Sequence, residues 1–461
     1  MRRLISGSGV VSEHSAHIPW RNLLQHALSL GPRVVAAYLE LLRHQWISEQ
    51  KIRRLQERRL GRAIRHACRE VSFYQRPLPG ELCRVGPDVF TGLSRFPIVD
   101  RDILADRWNQ FVARDASRHA PRSRRTSGTT GKPVEVLLDR RTRALNAAFT
   151  LIRIQWAGWK PGDKTVFFNV PLGYFGKGKI DLETPYTLDA SRKTLILNAA
   201  RLDDQRLRQF SRLVGEYRPN ILRGFPSTLI LLARFMGNEK IKIHPRAVMT
   251  GGELVLDWQR RFLEGAFGCA VFDYYGMWES VAAAAQCNRG SYHLMPELGY
   301  VEIVRNGRAC GPGEVGELVG THMVNYSMPL IRYNMHDLAA WTGHLCPCGR
   351  QAPTLSIIGG RGRDLLVTRN GYAVVQAGLA TRFAPPLPIE KLQFYQERKG
   401  EAVIRIVRGN GYTAEHTQML LSELEKELGD SMTFSWEYVE DIPRGPSGKY
   451  QFVTSRVPPE L

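Results

Sequence analysis

Between about residues 130 and 350, short apolar runs alternate with amphipathic stretches. This alternation narrows the fold more than any other property of the chain. The runs at 165–170, 221–223, 247–250 and 270–275 read as strands. The stretches at 207–217, 227–237 and 258–267 carry helical spacing. Such alternation predicts an α/β domain. Residues 299–342 then read as β-rich, with turns at Asn306-Gly307 and Gly311-Pro312-Gly313.

The two ends differ from this middle. Residues 20–70 read as helical, with Leu23, Leu24, Ala27, Leu28 and then Val34, Val35, Tyr38, Leu39 and Leu42 in register. The basic stretch 51–69 is either a membrane-surface helix or a solvated face with Leu55, Leu60 and Ile64 turned inward, and the second reading is preferred. In the last hundred residues, 392–396 and 402–407 suggest a hairpin, 413–428 a helix and 432–439 a strand. The expected class is α/β: a large N-terminal domain of α/β sheets plus a β-rich subdomain, and a small mobile α+β C-terminal domain. The expected boundaries are a helical segment 1–75, a large domain 76–360 and a small domain 361–461.

The run Thr126-Ser127-Gly128-Thr129-Thr130-Gly131-Lys132-Pro133 precedes an apolar stretch at 134–138. Glycines let backbone N–H groups turn toward an anion, hydroxyls add donors and the lysine adds charge. That is a phosphate cradle. It is not a Walker A loop, because Gly128 is not followed by Gly-Lys at the required spacing. The plain alternative is an exposed Ser/Thr/Gly loop.

Composition sets outer limits. At 461 residues the chain exceeds one ordinary domain, and 43% apolar residues are too many for a disordered one. No apolar run approaches the ~18 residues of a membrane span. The first seven residues carry basic groups without an apolar core behind them, so no signal peptide is expected. Seven scattered cysteines fit a reducing, cytoplasmic setting better than a disulfide framework. The net charge of +20 would attract nucleotides, CoA, an acidic carrier protein, nucleic acid or lipid headgroups. Arginines are spread along the whole chain and no nucleic-acid signature stands out, so no specific nucleic-acid partner is expected. The sequence leaves a homodimer open.

The 126–133 run matches without a mismatch the ATP-phosphate loop of the adenylate-forming enzymes, the acyl-CoA synthetases and aryl-acid ligases. Over roughly residues 60–455 the chain resembles their phenylacetate–CoA ligase branch, including relatives associated with capsular polysaccharide. Five motifs occur in the family's order. The resemblance implies an ATP-dependent carboxylic-acid ligase that forms an acyl-adenylate, releases pyrophosphate and passes the acyl group to an acceptor. CoA is the default acceptor. An amine or a phosphopantetheine carrier are the alternatives within the class. A catalytically silent nucleotide-binding protein is the alternative outside it.

Residue by residue, the resemblance implies that Thr126, Ser127, Gly128, Thr129, Thr130, Gly131 and Lys132 hold ATP phosphates. Tyr274-Tyr275-Gly276-Met277-Trp278-Glu279 resembles the adenine and metal motif. There Tyr275 would contact adenine beside Tyr274 and Gly276, and Glu279 would bind Mg²⁺. Gly252 and Glu253 of Gly251-Gly252-Glu253 would line the nucleotide and acyl pocket, although a plain strand-to-helix turn explains them equally well. Asp337 would accept hydrogen bonds from the ribose hydroxyls, with His336 where glycine is usual. Arg361, in Gly360-Arg361-Gly362-Arg363-Asp364, would sit near ribose and phosphate, with Arg363 replacing the customary first acidic hinge residue. Lys449, in Pro443-Arg444-Gly445-Pro446-Ser447-Gly448-Lys449-Tyr450, would be the catalytic lysine of adenylation. Tyr174, Phe175 and Trp278 would line an acyl pocket for a short or flat acid, or else are core aromatics.

A separate pattern concerns metal. Cys287 and His293 stand at Cys-x5-His spacing, and Cys346-Pro347-Cys348 follows the β-rich stretch. Three thiolates and an imidazole complete a tetrahedral Zn²⁺ set with no open position, so the metal would be structural. The alternative is four reduced side chains that never meet.

Overall fold

One thirteen-stranded sheet runs through residues 165–359 of the computed structural model. The residues described are 31–75, 89–126, 134–169, 184–190, 193–199, 202, 204–255, 257–359, 365–369, 373–375, 387–443 and 452–457. Two helices come first, α1 (Pro32–His44) and α2 (Glu49–Glu70). Leu60 and Ile64 of α2 are buried as expected, while Leu55 is only partly so, and Ile52 and His66 are buried as well. A hairpin follows, β1 (Arg122–Thr126) antiparallel to β2 (Val134–Leu138), then α3 (Arg140–Trp156). Asp139 caps α3, accepting from the Thr142 N–H at 2.7 Å, and that bond satisfies one of the helix's orphan donors.

The sheet has two halves. Strands β3 (Thr165–Asn169), β5 (Thr194–Asn198), β6 (Ile221–Gly224), β7 (Ala247–Gly251) and β8 (Val271–Gly276) are parallel, in the order β5-β3-β6-β7-β8. Strand β4 (Tyr186–Asp189) is antiparallel on the outer edge. Helices α4 (Asp204–Tyr217), α5 (Pro226–Asn238) and α6 (Asp257–Phe267) make the crossovers between β5, β6, β7 and β8. Alternate residues point to opposite faces. Leu222 and Val248 therefore pack with Phe210, Leu229 and Leu263 of these helices, while Ile221, Ala247 and Met249 pack toward α1, α2 and α3. With both faces covered, all five residues of β7 are buried, and Ala247-Val248-Met249 is continuously apolar rather than alternating.

From β8 onward the sheet is antiparallel. Strands β9 (Ala283–Gln286), β10 (Tyr292–Leu294), β15 (Thr354–Gly359), β14 (Tyr333–Trp341), β13 (Val315–His322), β11 (Gly299–Arg305) and β12 (Arg308–Ala309) follow one another across it. Asn306 and Gly307 turn β11 into β12 with φ of 50° and 76°, the positive values a two-residue hairpin requires. Buried Arg332 ties this half to the N-terminal region, donating to Glu302, to the Ser94 carbonyl and to the Phe96 carbonyl.

The C-terminal residues form a third core. Strands β18 (Ile389–Arg398) and β19 (Glu401–Arg408) make a hairpin, α7 (Ala414–Leu428) packs on it, and β20 (Thr433–Tyr438) and β21 (Val453–Ser455) add parallel edges. Leu366, from the short hairpin β16 (Leu365–Val367) and β17 (Ala373–Val375), joins Phe394, Ile404 and Leu420 in this core. The Arg234 guanidinium of α5 donates to the Ile389 carbonyl at 3.0 Å, so the small unit touches the large one. This is the expected architecture, a large sheet domain and a small α+β domain. One expectation is corrected. Cys68, near the end of α2, is disulfide-bonded, so the cysteines are not all reduced thiols.

Candidate active site

Strands β7 and β8 end side by side, with Gly251 opposite Tyr274. The Tyr274 ring lies across Gly251 so closely that a Cβ would stand 2.1 Å from it, and only glycine fits there. The Arg153 guanidinium, from α3, sits over the same ring, 3.6 Å from its centroid. Gly252 follows with φ 81°. Glu253 accepts from the Ser227 N–H at 3.1 Å and the Ser227 hydroxyl at 2.9 Å. That places a carboxylate on the first turn of α5, the helix end where negative charge is favoured.

Tyr275 points away from Tyr274, as strand alternation requires. Its hydroxyl donates to Asp337 Oδ2 at 2.5 Å, joining two residues 62 positions apart. Gly276 ends the strand, and the chain turns into Met277, Trp278 and Glu279. Trp278 is half-buried, 5.7 Å from the Arg124 guanidinium of β1. Thr126 closes β1 opposite Val134. Trp278 therefore stands beside the strand leading into residues 127–133.

Glu279 is buried. Its Oε1 accepts from the Tyr333 hydroxyl at 3.2 Å, and its carbonyl accepts from His322 Nε2–H at 2.8 Å. The Leu330 N–H donates to His322 Nδ1 at 3.1 Å, which fixes that tautomer. Burial pulls the His322 pKa down to about 4, so the ring is neutral. His322 stands in no recognisable motif, and Tyr333 lies in the 329–338 segment that carries Asp337, where the sequence assigns it no role of its own. Both positions become meaningful only when β13 and β14 close over the Glu279 turn.

His336 occupies the place where glycine is usual, and it adopts φ 56° itself. The Asn334 side-chain oxygen accepts from the His336 N–H at 2.8 Å, and His336 Nδ1–H donates to Glu317 Oε1 at 2.9 Å. That bond is the main cause raising the His336 pKa and lowering that of Glu317. The turn therefore survives the substitution, held by two side chains. Ser127, Gly128, Thr129, Thr130, Gly131, Lys132, Tyr174, Phe175, Arg361 and Lys449 lie outside the described residues, as does Arg363.

The four expected metal ligands meet. The ligand atoms of Cys287, His293, Cys346 and Cys348 all lie within 4.8 Å of one another. Cys287 follows β9, His293 lies in β10, and the β14–β15 connection supplies the other two. The β10–β15 ladder brings these segments together. Cys287 Sγ is 3.6 Å from Cys346 Sγ, and Cys348 Sγ is 3.2 Å from His293 Nε2. A zinc tetrahedron with ~2.3 Å sulfur and ~2.0 Å nitrogen bonds has edges of about 3.5–3.8 Å. His293 Nδ1–H donates to the Ala352 carbonyl at 3.3 Å, which leaves Nε2 for a metal. Burial holds the His293 pKa at about 4, hence neutral, and raises Cys287 to about 11. The residues present fit the ion: three sulfurs and one unprotonated ring nitrogen in a buried, closed arrangement.

Tyr275 near the end of β8 bonded to Asp337 of β14, a buried glutamate four residues after Tyr275 and a small domain touching the large one make this a candidate nucleotide site. Residues 126–322 match the AMP-binding enzyme family, and residues 366–456 match the CapK C-terminal domain. The chain is 26% identical over 395 residues to a phenylacetate-coenzyme A ligase of Thermus thermophilus, covering 82% of this chain and 86% of that one. It is 26% identical over 270 residues to protein CapK of Staphylococcus aureus, covering 57% and 59%. A crystal structure of 2-hydroxyisobutyryl-CoA ligase in its postadenylation state superposes with a TM-score of 0.72 at 19% identity, covering 90% of this chain and 91% of that one. The chain thus carries an AMP-binding enzyme region followed by a CapK C-terminal domain, and along most of its length it resembles the phenylacetate–CoA ligases. Among the described residues no helix is long and apolar enough to cross a membrane.

Proposed function

We propose that this ligase activates a carboxylic acid with ATP, releases pyrophosphate from an acyl-adenylate, and transfers the acyl group to the thiol of CoA. The observation that carries this reading is the Tyr275–Asp337 hydrogen bond. It fixes an aromatic ring near the end of β8 and a carboxylate of β14 together, an arrangement suited to a purine and its ribose diol. Asp337 would accept from the ribose hydroxyls while Tyr275 lies against adenine. The Gly252–Glu253 turn would border the nucleotide. Tyr274, packed against Gly251 with Arg153 over its ring, would form the floor between nucleotide and acyl group.

Glu279 would hold Mg²⁺, an oxygen-seeking ion that offsets phosphate charge. Its carboxylate is oriented by Tyr333, and its backbone by neutral His322. The 126–132 loop would take the ATP phosphates. Lys449 would bridge the acid and the α-phosphate as charge builds in adenylation. The small domain, which would begin near residue 361 with Arg361 beside the ribose, would then turn to bring the acceptor in. Tyr174, Phe175 and Trp278 would bound a pocket for a short or flat acid. The Cys287–His293–Cys346–Cys348 set would hold a structural Zn²⁺. ATP and CoA as substrates fit a cytoplasmic setting.

The test is pyrophosphate release with Mg-ATP across aryl, heteroaryl and short aliphatic acids, first alone and then with CoA or with amines. One acid class should release pyrophosphate, and CoA should accelerate turnover. Acceleration by amines alone would move the second step to amide formation. Bound ATP with no release across the panel would favour a silent nucleotide-binding protein.

A further inference from the structure

A second cluster of metal-ligating side chains lies outside the site described above. His66 comes from α2, and Asp115 and His119 come from the short 3₁₀ turn at Ala116–His119 and the residue before it. One ligand atom from each of the three lies within 4.8 Å of the others. His66 Nε2 stands 3.5 Å from Asp115 Oδ1, and His119 Nε2 stands 3.2 Å from Asp115 Oδ2. The Tyr326 carbonyl is 3.0 Å from His66 Nε2. The Tyr326 backbone is itself held, its N–H donating to Asp139 at the cap of α3.

These separations are those of neighbouring ligands. Nitrogen and oxygen donors at ~2.0–2.2 Å from a tetrahedral ion stand about 3.4 Å apart. Hydrogen bonding alone does not complete the cluster. If His66 donates to the Tyr326 carbonyl and His119 to Asp115 Oδ2, Asp115 Oδ1 is left buried without a hydrogen-bond partner. An unpaired carboxylate oxygen in the interior is costly, and a cation between the imidazoles would satisfy it.

We infer that His66, Asp115 and His119, with the Tyr326 carbonyl as a fourth donor, form a binding site for a divalent transition-metal ion. Two imidazoles and one carboxylate select ions of the zinc type over Mg²⁺ or Ca²⁺, which prefer all-oxygen shells. The ion would join α2, the 3₁₀ turn and the loop between β13 and β14, three segments far apart in the chain. It is independent of the cysteine-rich set, since the two share no residue.

The experiment is metal analysis of the full-length protein expressed with zinc and dialysed against metal-free buffer. Wild type should hold about two equivalents, one per four-donor site. His119→Ala should lose one equivalent, Cys346→Ser the other, and the double variant both. Wild type with one equivalent that only His119→Ala removes would still support the second site and would leave the cysteine set unfilled. An unchanged metal content in His119→Ala would overturn the inference. A folding control keeps the result interpretable. After chelation, wild type and His119→Ala should melt alike, and added Zn²⁺ should raise the wild-type midpoint more than that of His119→Ala. Cys346→Ser titrated with Co²⁺ should develop ligand-field absorption without a thiolate charge-transfer band. Absence of that absorption would also overturn the inference.

Discussion

At the scale of single residues, the decisive contacts are short and polar. Asp337 already accepts from Tyr275, and on the proposed reading it accepts from the ribose as well. A hydrogen bond to a charged group contributes about 1.5–3 kcal/mol. Asp337→Asn should therefore raise KM for ATP about 10- to 100-fold, read from pyrophosphate release at saturating acid. His322 governs a different property. Its pKa is held near 4 by burial, against an ordinary value of 6.5. Above 6.5 neither folded nor unfolded chain is protonated there. Between 6.5 and 4 the unfolded chain takes up a proton that the folded one refuses, so stability falls as pH falls, by about 1.4 kcal/mol per unit. His322→Gln should be less stable than wild type at pH 7 but should lose less on going to pH 5, by about 2 kcal/mol. Urea unfolding at both pH values measures this.

At the scale of elements, the β13–β14 pair shows how a strand accommodates an unfavourable residue. His336 stands at φ 56° and is compensated by Glu317 and Asn334. The raised His336 pKa and lowered Glu317 pKa bound the ion pair's contribution. It is present between the unfolded glutamate and histidine values, fades below as Glu317 protonates, and fades above as His336 loses its proton. The pair is partly exposed and therefore screened. Glycine would relieve the left-handed backbone but forfeit the pair. His336→Gly should consequently compare more favourably with wild type at pH 8 than at pH 6, in urea unfolding at the two values.

The elements also show what a sequence reveals. The β7 run was readable because it is covered on both faces, so Ala247, Val248 and Met249 follow one another without a polar residue between them. Strand β4 was not, because Tyr186 and Leu188 lie exposed on the sheet edge, where neither burial nor alternation leaves a mark. The cysteine set was readable from Cys-x5-His and Cys-Pro-Cys, each local. His66 with Asp115 and His119 was not, because the donors meet only after α2 folds against the 3₁₀ turn, and no spacing records that. Tyr333 and His322 escaped notice for the same reason. Both act on Glu279 across strands.

At the scale of the whole molecule, the proposed reaction would be shared by two units. The small unit touches the large one through Arg234 and the Ile389 carbonyl. If Lys449 serves only adenylation, Lys449→Ala should lower pyrophosphate release at least about 100-fold. It should leave CoA thioester formation from supplied acyl-AMP largely intact. Equal loss of both would place the lysine in both half-reactions.

Strand β8 has a parallel neighbour on one side and an antiparallel one on the other. It is the joint at which two differently woven pieces of cloth are sewn together. The residues that would grip the nucleotide lie on that stitch, Tyr274, Tyr275 and Gly276 on the strand itself and Asp337 on the far piece. On the proposed reading, a substitution that loosens the seam between the two pieces should weaken the grip on ATP before it unravels the fabric.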